Sequence, residues 1–248
     1  MVQSGSVALE PTTGGVQALV GRRGEHVFRG FNFATQMKRS PGSTIKPISV
    51  YAPAIEAGYN PDSILEDKPQ SYYEAKNYDG TYSGEVPMYQ ALAQSLNLPA
   101  VHEIGADRGY KKTQEFGLTL SESDKYWGLA LGGLETGESP LTMAAAYGVF
   151  ASGGYYYQPH LITKIVDSTG AVIVDNTSVK GKQVISKETA DKMTSMMLGT
   201  FSNGTGVSAS PYGFTIAGKT GTTETNFDLS KVNDQWIVGY TPDLVIST

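Results

Sequence analysis

Arg39-Ser40-Pro41-Gly42-Ser43-Thr44-Ile45-Lys46-Pro47 runs from turn-forming residues into an apolar-periodic segment, and it reads as the start of a helix. Ile45, Ile48, Ala52 and Ile55 recur at steps of three and four, which predicts one buried face, and Gly58 with Pro61 supplies the stop. Pro47 belongs near the first turn, where a missing N–H costs least, so the helix is expected to begin close to Ser43. Ser43 and Lys46 then share a face. A serine hydroxyl attacks poorly until its proton is removed, and a lysine amine takes that proton when burial or a second cation lowers its pKa. The helix start adds N–H groups and a positive dipole end, which suit a developing oxyanion. Serine and lysine are common, so this S-x-x-K gains meaning only from partners elsewhere in the chain.

The chain has 248 residues, 40% of them hydrophobic, enough for one large domain or two lobes around a shared interior. Net charge is −5 and no lysine- or arginine-rich block occurs, so nothing offers a footprint for nucleic acid. The absence of cysteine excludes disulfides and thiolate metal sites, while His26, His102 and His160 are too scattered for metal-ligand spacing. No metal or cofactor is expected. No apolar run approaches the ~20 residues of a membrane span, and Met1-Val2-Gln3-Ser4 is no signal peptide, so a soluble segment is expected.

Ser6-Val7-Ala8-Leu9 and Gly15 to Val20, separated by Pro11-Thr12-Thr13-Gly14, predict a hairpin ahead of the Ser43 helix. Pro61 to Tyr82 is rich in Pro, Tyr, Asn, Asp and Gly without a clear period and reads as a surface loop. Helices are expected over Pro87–Gln94, from Pro99 to Ile104, from the Ser139-Pro140 cap to Gly153, and from Ser186 to about Phe201. Ser95-Leu96-Asn97 falls between the first two. The middle section, about 59–153, thus reads as an all-helical lobe inserted between sheet-forming parts 1–58 and 154–248. Leu161–Val166 with Ala171–Val174 forms a predicted second hairpin, Phe214 to Thr223 is β-like, and Trp236–Tyr240 with Leu244–Ile246 forms a third. The last strand breaks off at Thr248, which suggests a C-terminally incomplete domain whose open edge invites association.

Ser43-x-x-Lys46, Ser95-Leu96-Asn97 and Lys219-Thr220-Gly221 follow one another in the order of the S-x-x-K, S-x-N and K-T-G set. The middle element has leucine where the S-D-N form has aspartate. Phe31 to Gln36 leading to Pro41-Gly42-Ser43, Leu129 to Gly133, Gly204-Thr205-Gly206, Gly218 to Thr223 and Gly239-Tyr240-Thr241-Pro242 extend the match over nearly the whole chain. Together they resemble the transpeptidase domain of class A, high-molecular-weight penicillin-binding proteins, with Phe33 where that family often has arginine.

The resemblance implies an α+β fold, an antiparallel sheet flanked by helices plus an all-helical lobe, with the site between them. It implies a peptidoglycan D,D-transpeptidase acting on stem peptides at the extracytoplasmic face of the cell membrane, acylated by β-lactams, with a membrane anchor and glycosyltransferase domain upstream. Ser43 would attack the penultimate carbonyl of a D-Ala-D-Ala peptide, with Lys46 as general base in its neutral form. Ser95 would relay a proton to the departing amine, and Asn97 would bind the peptide amide with both ends of its side chain. Lys219, Thr220 and Thr222 would hold the terminal carboxylate, and Lys219, as a second cation, would either keep Lys46 deprotonated or instead steady the substrate. Backbone N–H groups of Ser43 and Thr222 would form the oxyanion hole, and Gly221 would leave room for a substrate along the strand.

A D,D-carboxypeptidase or a β-lactamase of the same fold would carry the same motifs. A lactamase needs a further glutamate to activate water; no E-x-x-L-N segment lies between Asn97 and Lys219, and Glu135 and Glu138 read as part of a solvated loop. A different class is raised by Gly213 to Thr220, which matches the G-x-x-x-x-G-K-[ST] phosphate loop. That loop must open a helix, whereas Gly221-Thr222-Thr223 is no helix start, and the acidic strand Val172 to Asp175 comes before it rather than after. A non-catalytic wall-binding module would keep the groove without the chemistry, and the intact Ser43 and Lys46 argue against it.

Overall fold

Val7 and Leu9 point inward from strand β1 (Ser6–Leu9) while its alternate residues do not, which is the pattern of a strand with one face on a core. A computed structural model describes residues 2–25, 27–103, 105–224 and 231–248; His26 and Ile104, named above, lie outside it. Strand β1 turns back into β2 (Val16–Val20) as expected. Two small hairpins follow later in the chain, β3 (Ile64–Asp67) with β4 (Gly84–Pro87) and β6 (Lys164–Val166) with β7 (Val172–Asp175). Strand β5 (Tyr155–Tyr156) pairs with β8 (Lys182–Gln183). The chain closes with β9 (Ala217–Glu224), β10 (Val232–Tyr240) and β11 (Val245–Ser247). The main sheet is antiparallel in the order β2-β1-β11-β10-β9.

That order corrects the expectation of an open edge at the C-terminus. Strand β11 lies in the middle of the sheet, paired with β1 on one side (Val7 opposite Ser247) and β10 on the other (Val238 opposite Ser247). Thr248 and Ile237 exchange both backbone hydrogen bonds at 3.0 Å. The sheet ends on β2 and β9.

The helix expected at Ser43 forms in three parts: a 3-10 turn over Gly42–Ile45, a wide π-type stretch over Pro47–Tyr51, and α1 (Ala52–Glu56). Ile45, Ile48, Ala52 and Ile55 are all buried, as the periodicity predicts. Helices α2 (Met88–Ala93), α3 (Asn97–Glu103) and α4 (Ala106–Glu115) follow, then α5 (Pro140–Ala151) and α6 (Lys187–Ser202). Ser139 and Ser186 cap α5 and α6, accepting from Thr142 N and Thr189 N. Helix α5 is apolar all round because it lies inside, packed on β1, β10 and β11 and against α6. It therefore flanks the sheet. The segment 59–153 also holds β3 and β4 and so is not all-helical, because Leu65 and Val86 need a pleated pair to reach the core beside α2 and α3.

Candidate active site

Lys46 and Lys219 are completely buried, and both serve one stretch of surface around the half-buried Ser43. Burying an ammonium is costly unless it is hydrogen-bonded or loses its proton. Lys46 Nζ donates to Ser95 O at 2.7 Å, Leu96 O at 3.0 Å and Asn97 Oδ1 at 2.7 Å, with Ser95 Oγ at 3.4 Å. Its pKa lies well below the usual lysine range, first through burial and then through the charge of Lys219. Lys219 Nζ donates to Thr220 O at 3.0 Å, and burial pushes its pKa down to about 7. The S-x-x-K and S-x-N motifs thus meet through the lysine. The Ser43 hydroxyl makes no hydrogen bond to a described residue.

Ser95 sits at the end of α2 with φ +58°, the left-handed position that glycine normally fills. Ser95 N bonds Leu92 O and Leu96 N bonds Ala91 O, the paired bonds that close a helix in this way. A serine here is strained, and the strained turn is what places Ser95 O and Oγ on Lys46.

The third motif is on edge strand β9, seated against the nucleophile turn. A Cβ on Gly221 would lie 2.6 Å from Pro41 O and 2.9 Å from Thr44 Cγ2, and one on Gly42 3.3 Å from Thr222 N. Gly221 is therefore required by close packing of the strand on the helix start. This corrects the expectation that it clears a path for substrate. The same contact brings Thr222 N beside the turn that carries Ser43 N. Thr222 is exposed, and Thr220 shares a hydroxyl–hydroxyl bond with Thr205 of the Gly204-Thr205-Gly206 turn.

Behind the turn, Gly132 (φ +85°) lies so close to Gly42 that a Cβ would meet its nitrogen at 2.5 Å, and Ser40 Oγ donates to Gly132 O at 2.6 Å. Trp236 Nε1 donates to Ser40 O at 2.9 Å, Tyr147 Oη to Thr44 O at 2.7 Å, and Arg39 Nε to Asp234 Oδ1 at 2.8 Å. Hydrogen bonds thus tie the turn both to the sheet and to α5.

Residues 5–245 match the family described as Transpeptidase, the penicillin-binding protein transpeptidase domain. The chain belongs to the penicillin-binding protein transpeptidase family. It is 52% identical, over 99% of its length, to penicillin-binding protein 2a of Streptococcus pneumoniae, and 41% identical over 98% to penicillin-binding protein 1F of Bacillus subtilis. It spans 34% of each of those two relatives, about a third of their length. The structure of PonA1 from Mycobacterium tuberculosis in complex with penicillin V matches 99% of this chain and 68% of that chain, with a TM-score of 0.84 at 28% identity. Within this family fold the phosphate-loop reading fails, because Ala217 to Glu224 form the single strand β9, so Gly218, Lys219 and Thr220 lie inside a strand and not at a helix start.

Both ends of the Asn97 amide are engaged within the protein, Oδ1 by Lys46 and Nδ2 by Lys76 O at 2.7 Å. Asn97 thus holds Lys46 and presents no free amide. Glu138, expected in a solvated loop, is fully buried: Oε2 accepts from Lys38 at 3.1 Å and Oε1 from Thr119 N at 3.0 Å. Asn77 and Asp67, both buried, went unremarked in the sequence because they lie in a stretch that reads as a surface loop.

Proposed function

We propose that this domain is a peptidoglycan D,D-transpeptidase with Ser43 as nucleophile. The observation that carries the reading is the pair of wholly buried lysines, one bound to the Ser95-Leu96-Asn97 turn and the other on edge strand β9, on either side of the Ser43 turn. A stem peptide ending in D-Ala-D-Ala adds alongside β9, the strand that ends the sheet, with its terminal carboxylate toward Lys219, Thr220 and Thr222. Neutral Lys46 takes the Ser43 proton as the hydroxyl oxygen bonds to the penultimate carbonyl carbon. The N–H groups of Ser43 and Thr222 receive the oxyanion. The C–N bond then breaks, D-alanine leaves with a proton passed through Ser95 Oγ, and the acyl group remains on Ser43. An amine from a second stem peptide attacks this ester, restores the hydroxyl and completes the cross-link. A β-lactam enters by the same route, its ring amide in place of the peptide bond. The reaction belongs on the outer face of the membrane, where such peptides occur, and the anchor would be supplied by the remainder of a longer protein.

Incubation with a labelled penicillin, followed by intact mass and peptide mapping, tests the reading. One adduct on Ser43 is expected, and Ser43→Ala should take up no label while keeping its melting temperature. An adduct on any other residue overturns the mechanism.

A further inference from the structure

Helix α3 starts at Asn97, so the residue in capping position before it is Leu96, which has no oxygen to offer the helix N–H groups. The cap comes instead from Asn77, twenty residues upstream between β3 and β4. Its Oδ1 accepts from Asn97 N at 2.9 Å and Leu98 N at 3.3 Å. Its Nδ2 donates to Asp67 Oδ1 at 2.7 Å and to Thr81 O at 2.9 Å, and Asp67 Oδ2 accepts from Ser83 N at 2.8 Å. All four hydrogen bonds open to an amide are made, in a side chain 4% exposed. Only asparagine fits: aspartate would set a second carboxylate against Asp67, and alanine would leave the two helix N–H groups unmet.

The consequence concerns Asn97. An asparagine at a helix start ordinarily turns its side-chain oxygen back onto its own helix. Here those N–H groups are already taken, and the neighbour of Asn77 receives the other end of the amide, since Asn97 Nδ2 donates to Lys76 O. Asn97 Oδ1 is thereby left to face Lys46 Nζ. Resting on the transpeptidase reading above, we propose that Asn77, oriented by Asp67, is a positioning residue that caps α3 from outside so that Asn97 can hold Lys46 ready for acylation.

The test is stopped-flow acylation by a fluorescent penicillin, resolving the pre-covalent dissociation constant from the acylation rate constant, on wild type, Asn77→Ala, Asn97→Ala and the double variant. For Asn77→Ala, about a tenfold or greater loss of the acylation rate constant is expected, with the dissociation constant within about twofold and label still reaching one per molecule. Because Asn77 acts through Asn97, the double variant should acylate no more slowly than Asn97→Ala alone. A rate constant unchanged in Asn77→Ala, or losses that multiply in the double variant, would overturn the proposal. Should Asn77→Ala fail to fold, Asn77→Ser, which stays polar but is too short to reach the α3 N–H groups, carries the same comparison. Failure of wild type to label at Ser43 would instead remove the transpeptidase reading.

Discussion

At the scale of single residues, the chemistry rests on groups held in forms they would not choose in water. Ser95 keeps a left-handed backbone suited to glycine. Ser95→Gly is expected to stabilise the fold by about 1 kcal/mol while slowing acylation, a trade visible as a higher melting temperature with less label taken up per unit time. Lys219, pushed down to about 7 in the folded protein against 10.5 when solvated, makes stability depend on pH. Between pH 7 and 10.5 the unfolded chain binds a proton that the folded one lacks, so this lysine makes stability rise with pH across that window. Lys219→Met should therefore be more stable than wild type at pH 7, by a margin that shrinks toward pH 10, as read by urea unfolding at each pH. Pre-covalent affinity for a carboxylate-bearing penicillin should be lost in the same variant. Ser43, Lys46, Ser95, Asn97 and Lys219 were legible because each belongs to a short local pattern. Asn77 and Glu138 were not, since their partners lie 20 and 100 residues away and a polar residue in a loop looks solvated until the chain is folded around it.

At the scale of elements, the site depends on how closely β9 approaches the nucleophile turn. The sequence marked the Ile45–Ile55 face and the strands of the main sheet, since buried apolar positions at steps of three and four, and β-like residues between glycines, are signals carried within each element, whereas β3 and β4 flank a stretch with no clear period and were missed. It could not show which glycine faces which backbone, because that depends on two elements brought together from opposite halves of the chain. Gly221→Ala is the sharpest test of this packing. The added methyl meets Pro41 O at 2.6 Å, a carbonyl fixed by its turn, so strand and turn must part. A destabilisation of about 1–3 kcal/mol is expected, together with slower acylation as Thr222 N moves away from Ser43 N. Thermal melting and penicillin labelling measured on the same preparation would check it, and an unchanged melting temperature would show that the strand already has room.

At the scale of the whole molecule, the sheet and the helical lobe bring to Ser43 two lysines, a serine and an amide and, among the described residues, no spare buried carboxylate. Each buried acid among the described residues has both oxygens engaged by the protein: Asp67 by Asn77 and Ser83 N, Asp124 by Glu135 N and Ser121 N, Glu138 by Lys38 and Thr119 N. Glu135, which is exposed, accepts from Ser123 at 2.6 Å. None is free to take a proton from water at the acyl-enzyme, which is what separates this arrangement from a lactamase of the same fold. An ester beside unassisted water faces a barrier several kcal/mol higher, and each ~1.4 kcal/mol is a tenfold loss of rate. On the proposed transpeptidase reading, the incoming amine of a second stem peptide would supply its own nucleophile and meet no such barrier. Penicillin should therefore turn over once, leaving an acyl-enzyme that persists for many minutes, to be followed by intact mass against time. An added amine acceptor should shorten the lifetime of an acyl-enzyme made from a peptide or thioester substrate. Steady hydrolysis of penicillin at a rate of order one per second would require a base that the described residues do not offer, and would move the assignment to a lactamase.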